Sequence, residues 1–189
     1  MDALTKVMVI RHAEKPPGNG KPHGVDADGA RDDSSLTVRG WQRAGALAGL
    51  FAPSNSIFVS ALLAKPSTIF AANPSGGSNR PLQTIKPLLK KSGAELVDTF
   101  TKGQEGELAA EILRRRGVVL VSWQHERICE IATQLTASNP PEPRFPAAWP
   151  DERFDVVWVF SSPAKSGQRW SFAQVPQLLL SGDSSTPLR

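Results

Sequence analysis

KVMVIRHAE (Lys6–Glu14) and VVLVS (Val118–Ser122) are the two stretches from which the rest of the chain can be read. In the first, Lys6–Ile10 is a short apolar run ending abruptly at two polar groups, Arg11 and His12. A run this brief, bounded this sharply, suits a strand covered on both faces. Val118–Ser122 is the clearest buried strand of the chain. Strand candidates also fall at Ser67–Ala72, Glu95–Asp98, Phe154–Phe160 and Trp170–Val175, the last two around a Ser/Gly/Lys turn.

Helical periods fill the intervals. Trp41, Ala44, Leu47, Ala48 and Phe51 recur at helical spacing within Thr37–Phe51, with Thr37 as N-cap. Arg80–Lys91 reads as a helix that tolerates Pro81 in its first turn. Gln104–Arg116 is amphipathic and stopped by Gly117. Gln124–Ala137 is helical again. Strand and helix alternate through most of the chain, so the expected fold is a three-layer α/β/α sandwich with a mostly parallel sheet. One domain over 1–189 suits the length. Two segments lack periodicity: the Gly-, Pro- and Asp-rich Lys15–Ser35, and Asn139–Asp151 with its five prolines.

Composition narrows the function. The 189 residues are 40% hydrophobic and 21% charged, with net charge +4. The cations are scattered, and the one tight run, Arg114–Arg116, sits at a helix end where it complements the dipole. No basic patch interleaved with aromatics points to nucleic acid, while a positive balance suits an anionic substrate. No stretch reaches the roughly 18 apolar residues of a membrane span. Met1–Ile10 has no secretory pattern, and the single cysteine, Cys129, reads as a buried inert thiol. Cytoplasmic residence is the expectation.

In parallel sheets, ligands bind beyond the carboxyl ends of the strands. Arg11 and His12 follow the first strand, Arg80 the loop after the second, and His125 lies three residues beyond Ser122. Arginine forks suit phosphate oxygens, and a neutral histidine beside them suits attack on phosphorus. Taken singly each has a bland reading, a solvated or capping side chain; the argument rests on their shared edge. His23, in the first aperiodic loop, is expected to be solvated.

Arg11-His12-Ala13-Glu14 resembles the Arg-His-Gly/Ala-Glu signature of the histidine phosphatase superfamily, which includes phosphoglycerate mutase-like enzymes and acid phosphatases. LTVRGWQRAGALA (Leu36–Ala48), RPLQT (Arg80–Thr84) and VVLVSWQHERI (Val118–Ile128) are similar to three further motifs of that family, in family order. The resemblance implies a phosphoglycerate mutase-like fold and a phosphatase acting on a phosphate monoester or phosphoramidate, carried by a small molecule or a phosphoprotein. It implies His12 as nucleophile, forming a phosphohistidine, Arg11 and Arg80 holding phosphate, and His125 contacting the phosphoryl oxygens. Glu14 helps orient the site or pairs with a cation. No metal or organic cofactor is implied.

The chain departs from the pattern in three places. Trp123-Gln124 separate the strand-ending serine from His125. Pro81 stands where alanine is common. The general acid is open between Asp98, in the stretch Asp98…Glu105-Gly106, and Glu126, directly after His125; the sequence leans to Asp98. A phosphoryl-transferring mutase and a non-catalytic phospho-ligand module share the scaffold and are the alternative readings. Oligomeric state is open.

Overall fold

The computed structural model describes residues 4–163 and 168–189. The centre of the Ser/Gly/Lys turn, 164–167, lies outside the described residues. Six strands form one sheet in the order β3-β2-β4-β1-β5-β6. They are β1 (Leu4–Arg11), β2 (Thr68–Ala71), β3 (Glu95–Val97), β4 (Gly117–Trp123), β5 (Val156–Ser161) and β6 (Ser171–Pro176). β1 to β4 pair parallel; β5 runs antiparallel to β1, and β6 antiparallel to β5.

The helices are α1 (Val38–Phe51), α2 (Arg80–Ser92), α3 (Glu105–Arg114) and α4 (His125–Leu135). Alternate strand residues face opposite layers. Met8 and Ile10 of β1 pack with Leu47 and Phe51 of α1 and with Ile85 and Leu88 of α2. Val7 and Val9 face Leu108 and Ile112 of α3 and Ile128 and Ile131 of α4. This is the expected three-layer arrangement. Each such side chain, fully buried, contributes roughly 1.5–3 kcal/mol.

Local chemistry sets the helix starts. The Thr37 hydroxyl accepts from the Gly40 amide at 3.2 Å. Gly40 itself is dictated by packing: a Cβ there would lie 2.6 Å from the Glu14 carbonyl oxygen, so α1 sits directly on the turn after β1. Gly117, at φ +70°, lets the chain leave α3 and enter β4.

Boundaries differ from expectation where tertiary pairing extends or shortens an element. β1 continues through Arg11, which pairs with Trp123 of the equally extended β4. β5 begins at Val156, because Phe154 turns instead toward the Arg11 guanidinium, 3.7 Å from its ring centroid. Arg115, within the basic run at the end of α3, bridges Glu95 at 2.9 Å and Glu111 at 2.9 Å, tying α3 to β3. Trp158 and Trp170 are core residues, as their strand settings suggest. Among the described residues no helix is long and apolar enough to cross a membrane.

The sheet's topology decides what reaches the functional edge. The carboxyl ends of β1, β2 and β4 lie together. β5 runs the other way, with Val157 opposite Ile10, so the segment preceding β5 arrives at that same edge.

Candidate active site

A cavity of about 190 Å³ opens at this edge, lined by side chains from four chain segments. His12 and Lys15 come from the exit of β1, Ser78 and Arg80 from the entry to α2, and Lys102 from the loop before α3. Gln124, His125 and Glu126 come from the start of α4.

His12 is almost wholly buried. Its Nδ1 lies 2.7 Å from the Ala13 carbonyl oxygen. A carbonyl can only accept, so Nδ1 carries the proton and Nε2 holds a free lone pair. Burial drives its pKa down to about 3; the Ala13 hydrogen bond opposes this, while Arg11, Arg80 and His125 add to it. The ring is therefore neutral across the physiological range, as nucleophilic attack requires. The same shift affects stability. The unfolded chain takes up this proton near pH 6.5 and the folded one only near 3, so stability is full above 6.5 and falls as pH drops through that window. Denaturant titrations at pH 7, 5.5 and 4.5 should show a progressive loss that is smaller in His12→Phe.

The motif residues around His12 act as supports. Thr84, fully buried in α2, accepts from the Ala13 amide at 2.8 Å and donates to the Arg80 carbonyl at 2.7 Å. Gln83 accepts from the Leu36 amide and donates to the Ser35 hydroxyl, pinning the end of the 15–35 loop. Ser122 donates to the Pro81 carbonyl at 2.9 Å, so the residue at 81 contributes its backbone.

Arg80 is partly buried; its Nη1 donates to the Asp33 carbonyl at 3.3 Å, and its Nε has no partner. The buried Ser78 hydroxyl and Gln124 Oε1 are also unpartnered. Unsatisfied buried polar atoms converging on one cavity mark a place for a polar ligand.

Trp123-Gln124 are accommodated without displacing His125. Trp123 extends β4 into the core and its indole donates to the fully buried Glu105 at 3.0 Å. Gln124 then takes the N-cap position, and His125 begins α4. His125 Nε2 lies 3.2 Å from Asp151 Oδ1, and Nδ1 lies 2.9 Å from Glu126 without the alignment of a hydrogen bond. Burial and Arg11 lower its pKa against the pull of Glu126 and Asp151.

The remaining expected residues are placed differently. Arg11 is buried, and its guanidinium does not line the cavity. Nη1 donates to the carbonyls of Pro150, Asp151 and Arg153, and Nη2 to the Asp151 carboxylate at 3.1 Å. Glu14 is turned away, toward Arg39 and Arg43 of α1. Glu126 lines the cavity and pairs with Lys102. Burial raises the Glu126 pKa, but Lys102, its own backbone amide and His125 outweigh this and hold it below the usual range. Asp98 follows β3, with its carbonyl accepting from Asn73, and is not among the cavity-lining groups. Lys15, Ser78, Lys102, Gln124 and Asp151 were not singled out from sequence. Lys15, three residues after His12, and Gln124, directly before His125, are the ones with a positional cue.

Neither a protein-family profile nor a curated protein sequence matches the chain. Solved structures do. One described as the SixA phosphohistidine phosphatase of Nakamurella multipartitia aligns with TM-score 0.53 and 14% identity, over 89% of this chain and 93% of that one. A mycobacterial glucosyl-3-phosphoglycerate phosphatase aligns with TM-score 0.52 and 15% identity, over 89% and 96%. At such identity the likeness speaks for the fold alone: the chain shares the α/β/α fold of these two structures.

Proposed function

We propose that this protein is a phosphatase that hydrolyses a phosphate monoester or phosphoramidate through a phosphohistidine on His12. The observation that carries the reading is a buried, neutral imidazole with a free Nε2 facing a cavity of cations and unpartnered donors. Nε2 attacks phosphorus and the bond to the leaving oxygen or nitrogen breaks. The leaving atom takes the electron pair and a proton. Water then attacks the phosphohistidine, releasing inorganic phosphate and restoring His12. Arg80, Lys15 and His125 stabilise charge on the transferring group, with Ser78 as an added donor. Arg11 joins them through Nη2 when the Asp151 carboxylate that holds this nitrogen moves aside. The solved SixA and glucosyl-3-phosphoglycerate phosphatase structures, as described, share the fold and are consistent with this chemistry. The substrate is a phosphorylated small molecule or phosphoprotein in a reducing, cytoplasmic setting. Incubation with substrate, non-acidic quenching and peptide mass spectrometry should find phosphate on His12; a working enzyme with no phosphoenzyme would refute the mechanism.

Of the two carboxylates considered as acid, we favour Glu126 over Asp98, because it lines the cavity. Lys102 holds it ionised, so its capacity as a proton donor is small. Substrates that need no proton from the enzyme, aryl phosphates that leave as their anion and phosphoramidates whose basic nitrogen takes its proton from solvent, should therefore turn over about 100-fold or more faster than alkyl phosphates, the lower range of what general acid catalysis contributes. Glu126→Gln should slow alkyl phosphates more than aryl phosphates, and Asp98→Asn should change the ratio by less than about twofold. A selective loss in Asp98→Asn would return the role to Asp98.

A further inference from the structure

Asp151 stands where a phosphoryl oxygen of the proposed substrate would be held. Its Oδ1 lies 2.9 Å from Lys15 Nζ, 3.1 Å from Arg11 Nη2 and 3.2 Å from His125 Nε2. The three groups come from the end of β1, the turn after it and the start of α4. An ammonium, a guanidinium and an imidazole converging on one oxygen is the environment in which phosphate oxygens are bound. The Arg11 side chain has no exposed surface, and the Asp151 carboxylate caps its Nη2.

On the phosphatase reading given above, we propose that Asp151 is a displaceable internal ligand of the phosphoryl site. Its carboxylate occupies one oxygen position in the free enzyme and yields that position to substrate. Both cannot stay: a carboxylate and a phosphoryl dianion would share the same three partners at contact distance. An entering group must therefore compete with a carboxylate already in place, which makes Asp151 a determinant of substrate affinity.

The displacement needs only a side-chain rotation. The main chain of the 150–153 segment is held separately, by Arg11 Nη1 on three carbonyls and by the Trp149 indole donating to the Arg153 carbonyl at 2.8 Å. Trp149 itself is buried in the core. The Asp151 side chain is 57% exposed and has solvent to turn into. Arg11 thus has two duties on separate nitrogens: Nη1 fixes the segment, and Nη2 changes partner.

The test is calorimetric titration of the intact protein with inorganic phosphate at pH 8. Asp151→Asn should bind phosphate about 10-fold or more tightly than wild type. Glu152→Gln removes the same charge from the neighbouring position, which acts on Arg11 only through longer-range electrostatics and forms no ion pair with Lys15, Arg11 or His125 among the described residues, and it should stay within about twofold. Asp151→Ser should repeat the gain if the asparagine variant folds poorly. Equal gains in the Asp151 and Glu152 variants would reduce the effect to overall charge and overturn the proposal. So would unchanged or weaker binding in both Asp151 variants, which would mean that the carboxylate does not compete. If neither wild type nor any variant binds phosphate, the phosphatase reading fails, and the inference with it.

Discussion

Replacing His12 by alanine is expected to lower turnover by about 10,000-fold or more on every phosphorylated substrate, while the protein remains folded. Loss of a nucleophile in a covalent mechanism removes the pathway itself, and what remains is background catalysis from binding and electrostatics. The fold should survive because the imidazole has one hydrogen bond, to the adjacent Ala13 carbonyl, and reaches a distant segment only through a tilted ring contact with Phe154 at 6.4 Å. The turn it sits on is held by backbone: the His12 amide donates to the Trp123 carbonyl at 2.9 Å, and the Ala13 amide to Thr84. The measurement pairs steady-state rates on an aryl phosphate and a phosphoramidate with a thermal melt. Retained activity in a folded His12→Ala protein would end the proposal, because no other histidine in the cavity has a ring so fully buried and neutral.

Arg43→Ala should be the most damaging substitution for stability, at about 3–5 kcal/mol. Arg43 lies in the buried face of α1 and is 2% exposed. It donates to Glu14 at 2.8 Å and to Asp183 at 2.7 Å, and a further bond reaches Gln177 at 3.0 Å. This network binds three distant parts of the chain: the turn after β1, α1, and the tail after β6. Breaking a buried pair by removing one partner leaves the other charge unpaired, which costs more than the pair contributes. Arg39 remains near Glu14 at 3.2 Å, but it is half exposed and meets Asp183 only at 3.8 Å.

The loss should depend on pH. Burial raises the Asp183 pKa, but Arg43 and the Leu180 and Leu179 amides outweigh it and hold the carboxyl down at about 2. A depressed carboxyl contributes stability above its unfolded value near 3.8 and loses it as pH falls toward 2. Without Arg43 the carboxyl keeps the Leu179 and Leu180 amides but loses its ion-pair partner, so less of the downward shift remains in the variant. The difference between wild type and Arg43→Ala should therefore be full at pH 7 and shrink as pH falls from 3.8 toward about 2. Urea unfolding at neutral pH and within that acidic window tests this; a constant difference would assign the loss to packing alone.

Much of the architecture was legible in the residues. The apolar runs at Lys6–Ile10 and Val118–Ser122, the helical spacing from Trp41 to Phe51 and the Thr37 cap each report a local preference. Local preferences are what a linear sequence carries. The shared edge of His12, Arg80 and His125 was also within reach, because in a parallel sheet every strand delivers its carboxyl end to the same side. Boundaries were less legible. Arg11 and Trp123 extend their strands because they pair with each other, and Phe154 leaves its strand run because a guanidinium offers it a better partner.

The sequence by itself determined the layers, the strand ends and the residue types gathered there, since periodicity and strand polarity are local properties. Only the tertiary structure decided how those residues are employed. It turned Glu14 away from the cavity to pair with Arg43, left Asp98 off the cavity wall, and brought in Lys15, Ser78, Lys102 and Gln124. It also set Asp151, from a proline-rich segment with no readable period, onto Lys15, Arg11 and His125. The reason is the reversed direction of β5. An antiparallel strand carries its preceding segment to the edge where its parallel neighbours end, and which neighbour that strand pairs with is a long-range choice that no window of sequence contains.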